Sequence, residues 1–281
     1  MRADGKKLKN LDAMYKATPL FMTHRYDAMN MITLDIPIEP MRKYVNKRRQ
    51  SEFPVSHLAV LIAAYVRTVS QFPELNRFVV NKKYYARNEI TVSMVVLNKG
   101  SEHGEHNKMY FEPDDTIDDV AKKLNKYIDE NRDVNTKGND TDKALEVLSK
   151  VPGLFSIGIP ILKWADKHGL LPKSLINASP FHASLLITNL TSIRTKHIYH
   201  HIYEFGTTGF GMALGNYRYV VKKTGDKFEH IKTLPIGLVM DERITSGSYL
   251  ANVFKMLEKL CANPELLEEK PKSIVKDPNL D

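Results

Sequence analysis

The sequence predicts a mixed α/β fold, and three observations carry that expectation. Segments with helical spacing of apolar residues, 54–74, 116–131 and 248–261, alternate along the chain with segments of strand character, 29–37, 77–97 and 183–190. Prolines punctuate their ends: Pro37 and Pro40 bracket the first strand, and Pro73 stops the first long helix. No period of 20–50 residues repeats, so a solenoid or propeller is not expected.

Composition sets outer limits. A chain of 281 residues fits one large domain or two small ones, and a hydrophobic fraction of 42% is ample for a sizeable core. With 41 basic residues against 33 acidic ones, the net charge of +8 suits an anionic ligand such as a nucleotide or coenzyme A. The basic residues are spread out, and no basic block interleaved with aromatics appears, so nucleic-acid binding is not expected. Cys261 is the single cysteine, which rules out a disulfide within the chain and fits a reducing cytosol. It lies on an apolar helical face and reads as a buried thiol. The polar N-terminus has no apolar core of a signal peptide, and no run approaches the ~18 apolar residues of a membrane span. A cytoplasmic protein with no membrane partner is the expectation.

Taken in order, residues 1–18 are polar and basic and read as an extended arm. Around 29–37 the residues alternate, Met31, Thr33 and Asp35 against Ile32, Leu34 and Ile36, which argues for a strand. Pro40 to Gln50 reads as a short basic helix with proline at its start. In 54–74, Leu58, Leu61, Ile62, Tyr65, Val66 and Val69 form a wide apolar stripe, with Ser56 as N-cap. A hairpin follows, turning at Asn81-Lys82, and then a strand at 90–97. Residues 98–107 read as a polar loop, 116–131 as an amphipathic helix, and 131–142 as a surface loop. Residues 143–171 read as helix broken at Pro152-Gly153 and Pro160, with Leu162, Trp164, Ala165 and Leu170 able to form a layer against the sheet. Strands are expected at 183–190, from 211 and through 217–221, and a turn at Gly225-Asp226 leads to the last strand. Residues 268–281 form a tail.

Three stretches carry a family resemblance. Phe72-Pro-Glu-Leu-Asn76 ends the first long helix; Leu186-Ile-Thr-Asn-Leu190 ends a buried strand; Asp241-Glu-Arg-Ile-Thr-Ser-Gly247 follows the apolar run from Leu234. Together they resemble, in the same order, the catalytic domains of 2-oxo-acid dehydrogenase acyltransferases and chloramphenicol acetyltransferase. These are coenzyme A-dependent acyltransferases. The stretches span most of the chain, so the resemblance implies one domain over 1–281, without a lipoyl domain or linker. It implies an α/β mixed-sheet two-layer sandwich, a homotrimer, and an active site between subunits.

The resemblance also assigns the chemistry. The family motif is H-x-x-x-D-G, its His a base and its Asp the support; here it reads E-x-x-x-S-G, so Glu242 stands for the His and Ser246 for the Asp. Thr188 matches the hydroxyl that donates to the oxyanion, an interaction of the kind worth roughly 3–4 kcal/mol. A carboxylate near pKa ~4.3 taking a proton from a thiol near ~8.5 works uphill by roughly 5–6 kcal/mol, a gap that burial narrows. Serine cannot supply the charge of the Asp, but it is a good N-cap for the helix from Gly247. Asp241 and Arg243 match the motif's frame, and Arg243 is expected to pair with Asp241 or Glu242.

His197, His200 and His201 are candidates for a polar, substrate-binding pocket, with Thr207 and Thr208 beside them. On a helix, His197 and His201 would share a face, but no Glu lies between them in a metal motif and no third ligand is evident, so no metal is expected. Two functions stay open from sequence. One is acyl transfer between a coenzyme A thioester and a thiol or hydroxyl acceptor, with Glu242 or a displaced His as base. The other is a non-catalytic trimeric scaffold or acyl-CoA-binding relative.

Overall fold

A computed structural model describes residues 2–97, 104–132 and 153–280. Its axis is β10 (Lys227–Asp241), whose second half, from Thr233, is buried throughout. Antiparallel β2 (Met29–Pro37) flanks that half on one side and antiparallel β8 (Phe210–Leu214) on the other. The sheet continues through β7 (Leu185–Asn189) and β5 (Ile90–Leu97), each parallel to its predecessor, to antiparallel β6 (Gly104–Phe111). The exposed first half of β10 pairs with β9 (Arg218–Thr224) across a turn where Gly225 has φ 61°. A smaller sheet runs β1 (Gly5–Lys7), β4 (Lys83–Arg87), β3 (Arg77–Val80). Asn81 and Lys82, at φ 49° and 59°, make its tight hairpin turn.

Alternation along the strands decides where the core sits. Leu185 and Ile187, Phe210, Met212 and Leu214, and Leu234, Ile236, Leu238 and Met240 all enter one apolar core. The helices α2 (Ile38–Lys47), α3 (His57–Gln71), α4 (Ile117–Arg132) and α7 (Gly247–Ala262) supply the other side of it. Helix α3 is the centre: Ala59 to Val66 are all buried, because α2, α4 and α7 surround it. Ser56 caps it by accepting the Ala59 N–H at 3.1 Å. On α4, Ile117, Val120, Ala121 and Leu124 form the buried face that the helical spacing predicts. The buried Cys261 lies on α7, where burial pushes its thiol up to about 12.

Several expectations differ from the structure, each for a local reason. The extended arm is folded in: β1 joins the small sheet, α1 (Ala13–Phe21) is capped by Asp12, and Arg2 and Asp4 are buried. Arg2 reaches Asp4 and, 164 residues away, Asp166 at 2.6 Å, a partner that local pattern cannot reveal. The C-terminal tail is also packed. The Val275 N–H donates to the Ser70 carbonyl, and Asp277 takes two bonds, at 2.6 and 2.8 Å, from the fully buried Arg77. Residues 104–107 belong to β6 rather than to a loop, paired with 94–97.

Helix α5 (Leu154–His168) runs through Pro160 without breaking. The proline leaves the Ser156 carbonyl without its helical partner, and both residues are exposed, so water can serve it. Trp164 and Leu170 are exposed instead of layered on the sheet, because α5 turns Asp166 inward to Arg2. The short helix α6 (Lys173–Ala178) follows. The expected surface loop over 133–142 and the helix over 143–152 lie outside the described residues. Among the described residues no helix is long and apolar enough to cross a membrane.

The Arg77–Asp277 pair ties the last residues to the core edge, with Glu74 3.0 Å from the same guanidinium. Removing one partner of a buried pair costs roughly 3–5 kcal/mol, and Glu74 keeps the loss near the low end, about 3. Asp277→Asn should lower the unfolding free energy by about 3 kcal/mol, read as a fall in the urea midpoint at unchanged slope. Lys270→Ala, in an exposed pair with Asp114, should leave the midpoint unchanged.

Candidate active site

The end of β10 is built around Asp241, which is 1% exposed. Arg243 folds back on it, donating Nε to Oδ1 at 2.8 Å and Nη2 to Oδ2 at 2.7 Å. The Arg243 backbone N–H adds a bond to Oδ1 at 3.2 Å. A second guanidinium, Arg25, stands with Nε 3.6 Å from Oδ2. Of the two partners expected for Arg243, Asp241 or Glu242, it pairs with Asp241, and one carboxylate serves two buried cations. Burial would lower the Arg243 pKa, but the bonds and charge of Asp241 outweigh it and hold the guanidinium above its ordinary value. At Arg25 burial dominates and lowers it. Its N–H groups go to backbone carbonyls, including Tyr203 at 2.5 Å and Gly206 at 3.2 Å.

Glu242 sits between Asp241 and Arg243 in sequence and is exposed. Ser246 is exposed too, and its Oγ accepts the Tyr249 N–H at 3.3 Å, capping α7. The two sequence landmarks at 72–76 and 241–247 touch. Thr245 donates to Glu74 at 2.6 Å, the Glu74 N–H donates to the Tyr249 hydroxyl at 3.1 Å, and Phe72 meets the Tyr249 ring edge to face.

Thr188 lies at the end of β7, half-buried, on the sheet face opposite the core. It pairs with Ala213 on β8, which pairs with Gly237 on β10. Glu242 is thus two strands over and five residues along. At ~4.8 Å per strand and ~3.3 Å per residue, the two Cα atoms are roughly 19 Å apart. β7 and β10 are interior strands that run in opposite directions, so the two residues stand at opposite strand ends of the sheet, and no single small group within one chain meets both.

Residues 195–203 cross the same face as Thr188 in an extended strap, not a helix. Small residues make room for it. A Cβ on Gly215 would come within 2.2 Å of the His197 nitrogen, and one on Gly237 within 2.2 Å of the Ile198 carbonyl oxygen. His197 Nε2 is 3.0 Å from the Thr33 hydroxyl, which lies 2.6 Å from the Tyr199 hydroxyl. Burial, then the charge of Arg218, lowers the His197 pKa. His200 Nδ1 donates to the His201 carbonyl at 2.9 Å, and both rings lie beside Tyr203. Thr207 and Thr208 have committed hydroxyls. Thr207 accepts from Arg87 at 2.9 Å, and Thr208 donates to the Phe181 carbonyl at 2.8 Å. Within one chain the candidates thus fall into separate places: the β10 end, the strapped face, and the buried Thr pair. Among the described residues no three His, Cys, Asp or Glu side chains converge as a metal site.

Sequence reading passed over Arg25 and the buried set Arg2, Asp4, Asp166 and His182. Thr33 and Asp35 were visible as the polar side of the β2 alternation; nothing local marks Arg25. His182 Nε2 is 3.3 Å from Asp166, and burial lowers the His182 pKa. Burial would raise Asp166, but His182 and Arg2 together hold it down to about 2.

No protein-family model matches the chain, and no curated protein sequence does. Solved structures do. A probable dihydrolipoamide acetyltransferase from Listeria monocytogenes superposes with a TM-score of 0.57 at 11% identity, over 96% of this chain and 99% of that one. The cubic core of a pyruvate dehydrogenase multienzyme complex gives 0.59 at 10% identity, over 90% and 88%. A chloramphenicol acetyltransferase gives 0.55 at 13% identity, over 90% and 99%. The chain therefore has the mixed α/β fold of these acyltransferases, as the three motif stretches imply.

Two outcomes test this geometry. Ser246→Ala should cost about 1 kcal/mol through the lost cap, and Ser246→Asp close to nothing, because both Ser and Asp cap well; thermal unfolding reads the difference. A buried neutral imidazole supports the fold fully above its unfolded pKa of 6.5 and loses that support as pH falls toward the lower folded value. His182→Asn should flatten the stability profile just below pH 6.5. Asp166 acts later: its contribution is complete above 3.8 and disappears as pH falls to about 2.

Proposed function

We propose that the protein is an acyltransferase acting on a coenzyme A thioester, with its site completed between copies of a homotrimer. The observation that carries the reading is the placement of Thr188 and Glu242 at opposite strand ends of one sheet, roughly 19 Å apart, on an acyltransferase fold. A trimer brings the Thr188 end of the sheet in one copy to the Glu242 end in the next. The β9–β10 hairpin supports such assembly, since Tyr219, Val221 and Phe228 are exposed on one side of it. An exposed apolar set of this kind marks a contact surface.

The chemistry follows from the roles. Glu242 takes the proton of a thiol or hydroxyl acceptor, whose sulfur or oxygen attacks the thioester carbonyl. The Thr188 hydroxyl donates to the oxyanion that forms. The carbonyl reforms, the coenzyme A thiolate leaves, and Glu242 returns the proton to it. Water exclusion at the contact between copies would raise the basicity of the carboxylate that this step needs. His197, neutral at pH 7 because burial and Arg218 lower its pKa, lines the strapped face that Thr188 shares and is the substrate-side partner.

The exposure of Glu242 and the capping role of Ser246 favour a second reading, an acyl-CoA-binding protein with little or no transfer. One experiment separates the two. Acetyl-CoA turnover to a small thiol is measured for wild type, Thr188→Ala, Glu242→Ala and the pair Glu242→His/Ser246→Asp. The proposal expects slow turnover in wild type, a drop of about 100-fold in Thr188→Ala, a comparable drop in Glu242→Ala, and a gain in the paired variant. Turnover that Glu242→Ala leaves intact removes the base assignment. Binding without turnover in every variant establishes the second reading.

A further inference from the structure

We propose that the cavity between residues 23–25, the β3–β4 turn and α5 binds a small polyanion, a phosphate- or carboxylate-bearing compound of metabolite size. The inference stands apart from the acyltransferase reading, because neither Thr188 nor Glu242 lines this space. The cavity holds about 320 Å³. That lies at the lower end of the range of small-ligand sites, roughly 300–1,000 Å³.

Its charge is what calls for a ligand. Two buried arginines line it, Arg25 at 3% and Arg243 at 4% side-chain exposure, and they share the single carboxylate of Asp241. The Arg25 Nε has no hydrogen-bond acceptor among the described residues. Three lysines, Lys82, Lys163 and Lys167, complete the wall, and none is paired with a carboxylate among the described residues. Two acids also line the space, and both are occupied. Asp166 takes a bond from Arg2 at 2.6 Å and lies 3.3 Å from His182. Glu204 accepts the Arg25 backbone N–H at 2.7 Å and stands 3.7 Å from His24.

The backbone that carries the lysines is fixed. Lys82 sits in a hairpin turn fixed by positive φ at both of its residues. Lys163 and Lys167 are one turn apart on α5 and face the same side. Gly206, at φ 87°, lets the wall press on Phe181, where a Cβ would come within 2.2 Å of the carbonyl oxygen. Converging like charges repel one another, and a bound polyanion converts that repulsion into attraction. Ammonium groups at the rim meet it as point charges, and the two guanidiniums behind them add fixed positive charge that one carboxylate only partly offsets.

Trp164, the only tryptophan of the chain, lies outside the cavity lining on the same helix as Lys163 and Lys167, so its fluorescence reads changes in α5 while calorimetry reads binding itself. The full-length protein is titrated at constant ionic strength with pyrophosphate and, separately, with citrate. Trp164 fluorescence and calorimetry are read in parallel. A saturable response to at least one probe is expected, and the stronger arm names the anion class. Lys163→Glu/Lys167→Glu should weaken it by about tenfold or more, and so should Lys82→Glu on the opposite wall. Lys222→Glu/Lys223→Glu, the same charge change on the distant β9 hairpin, should leave it unchanged. Absence of saturation with both probes overturns the proposal, and so does equal weakening by the hairpin variant.

Discussion

The end of the sheet where β10 finishes depends on one carboxylate. Asp241 is buried, and it neutralises Arg243 from its own turn and Arg25 from a segment more than 200 residues earlier. Removing it would strand two guanidiniums in a site that burial has already made costly for charge. Through Arg25 the same carboxylate fixes the backbone at Tyr203, Gly206 and Val79, and through Arg243 that at Met22. The chain leaves the strand at a fixed angle, so Glu242 projects outward and Ser246 arrives where α7 needs its cap. The 241–247 turn thus has a structural task that does not depend on which residue stands at 242.

The second constraint is the use of the two sheet faces. One takes the large apolar residues and the helices. The other is lined by Gly211, Ala213, Gly215 and Gly237, with Thr33 and Thr188 beside them. Only small side chains let the strap at 195–203 lie against the strands, and that contact puts His197 on the face that Thr188 occupies. Strand end and sheet face together divide the candidate residues: Thr188 and the His197 imidazole on the strapped face, the Glu242 carboxylate beyond the end of β10.

Where structure follows local chemistry, the sequence reads correctly. The alternation in β2 separates Thr33 and Asp35 from Leu34 and Ile36, and the Ser56 and Ser246 caps sit where their helices start. Reading fails where a distant partner decides. The N-terminal residues look like an arm because Asp166, which holds Arg2, lies far along the chain. The His197–His201 spacing suits a helix, yet the glycine-lined face takes that segment extended. The motif stretches identify the fold, but the distance between Thr188 and Glu242 is a property of strand order and register, which no motif contains.

That distance makes the central claim, that Thr188 and Glu242 meet between copies, directly measurable. Cys261 is buried with its thiol pushed up to about 12, so the native chain has an unreactive background. A Thr188→Cys/Glu242→Cys variant is treated with a bifunctional thiol reagent whose reach is well short of the separation within one chain. The account predicts covalent dimers and trimers on a denaturing gel, with neither single variant forming trimers. Chains that remain monomeric at micromolar concentration and unlinked would contradict it.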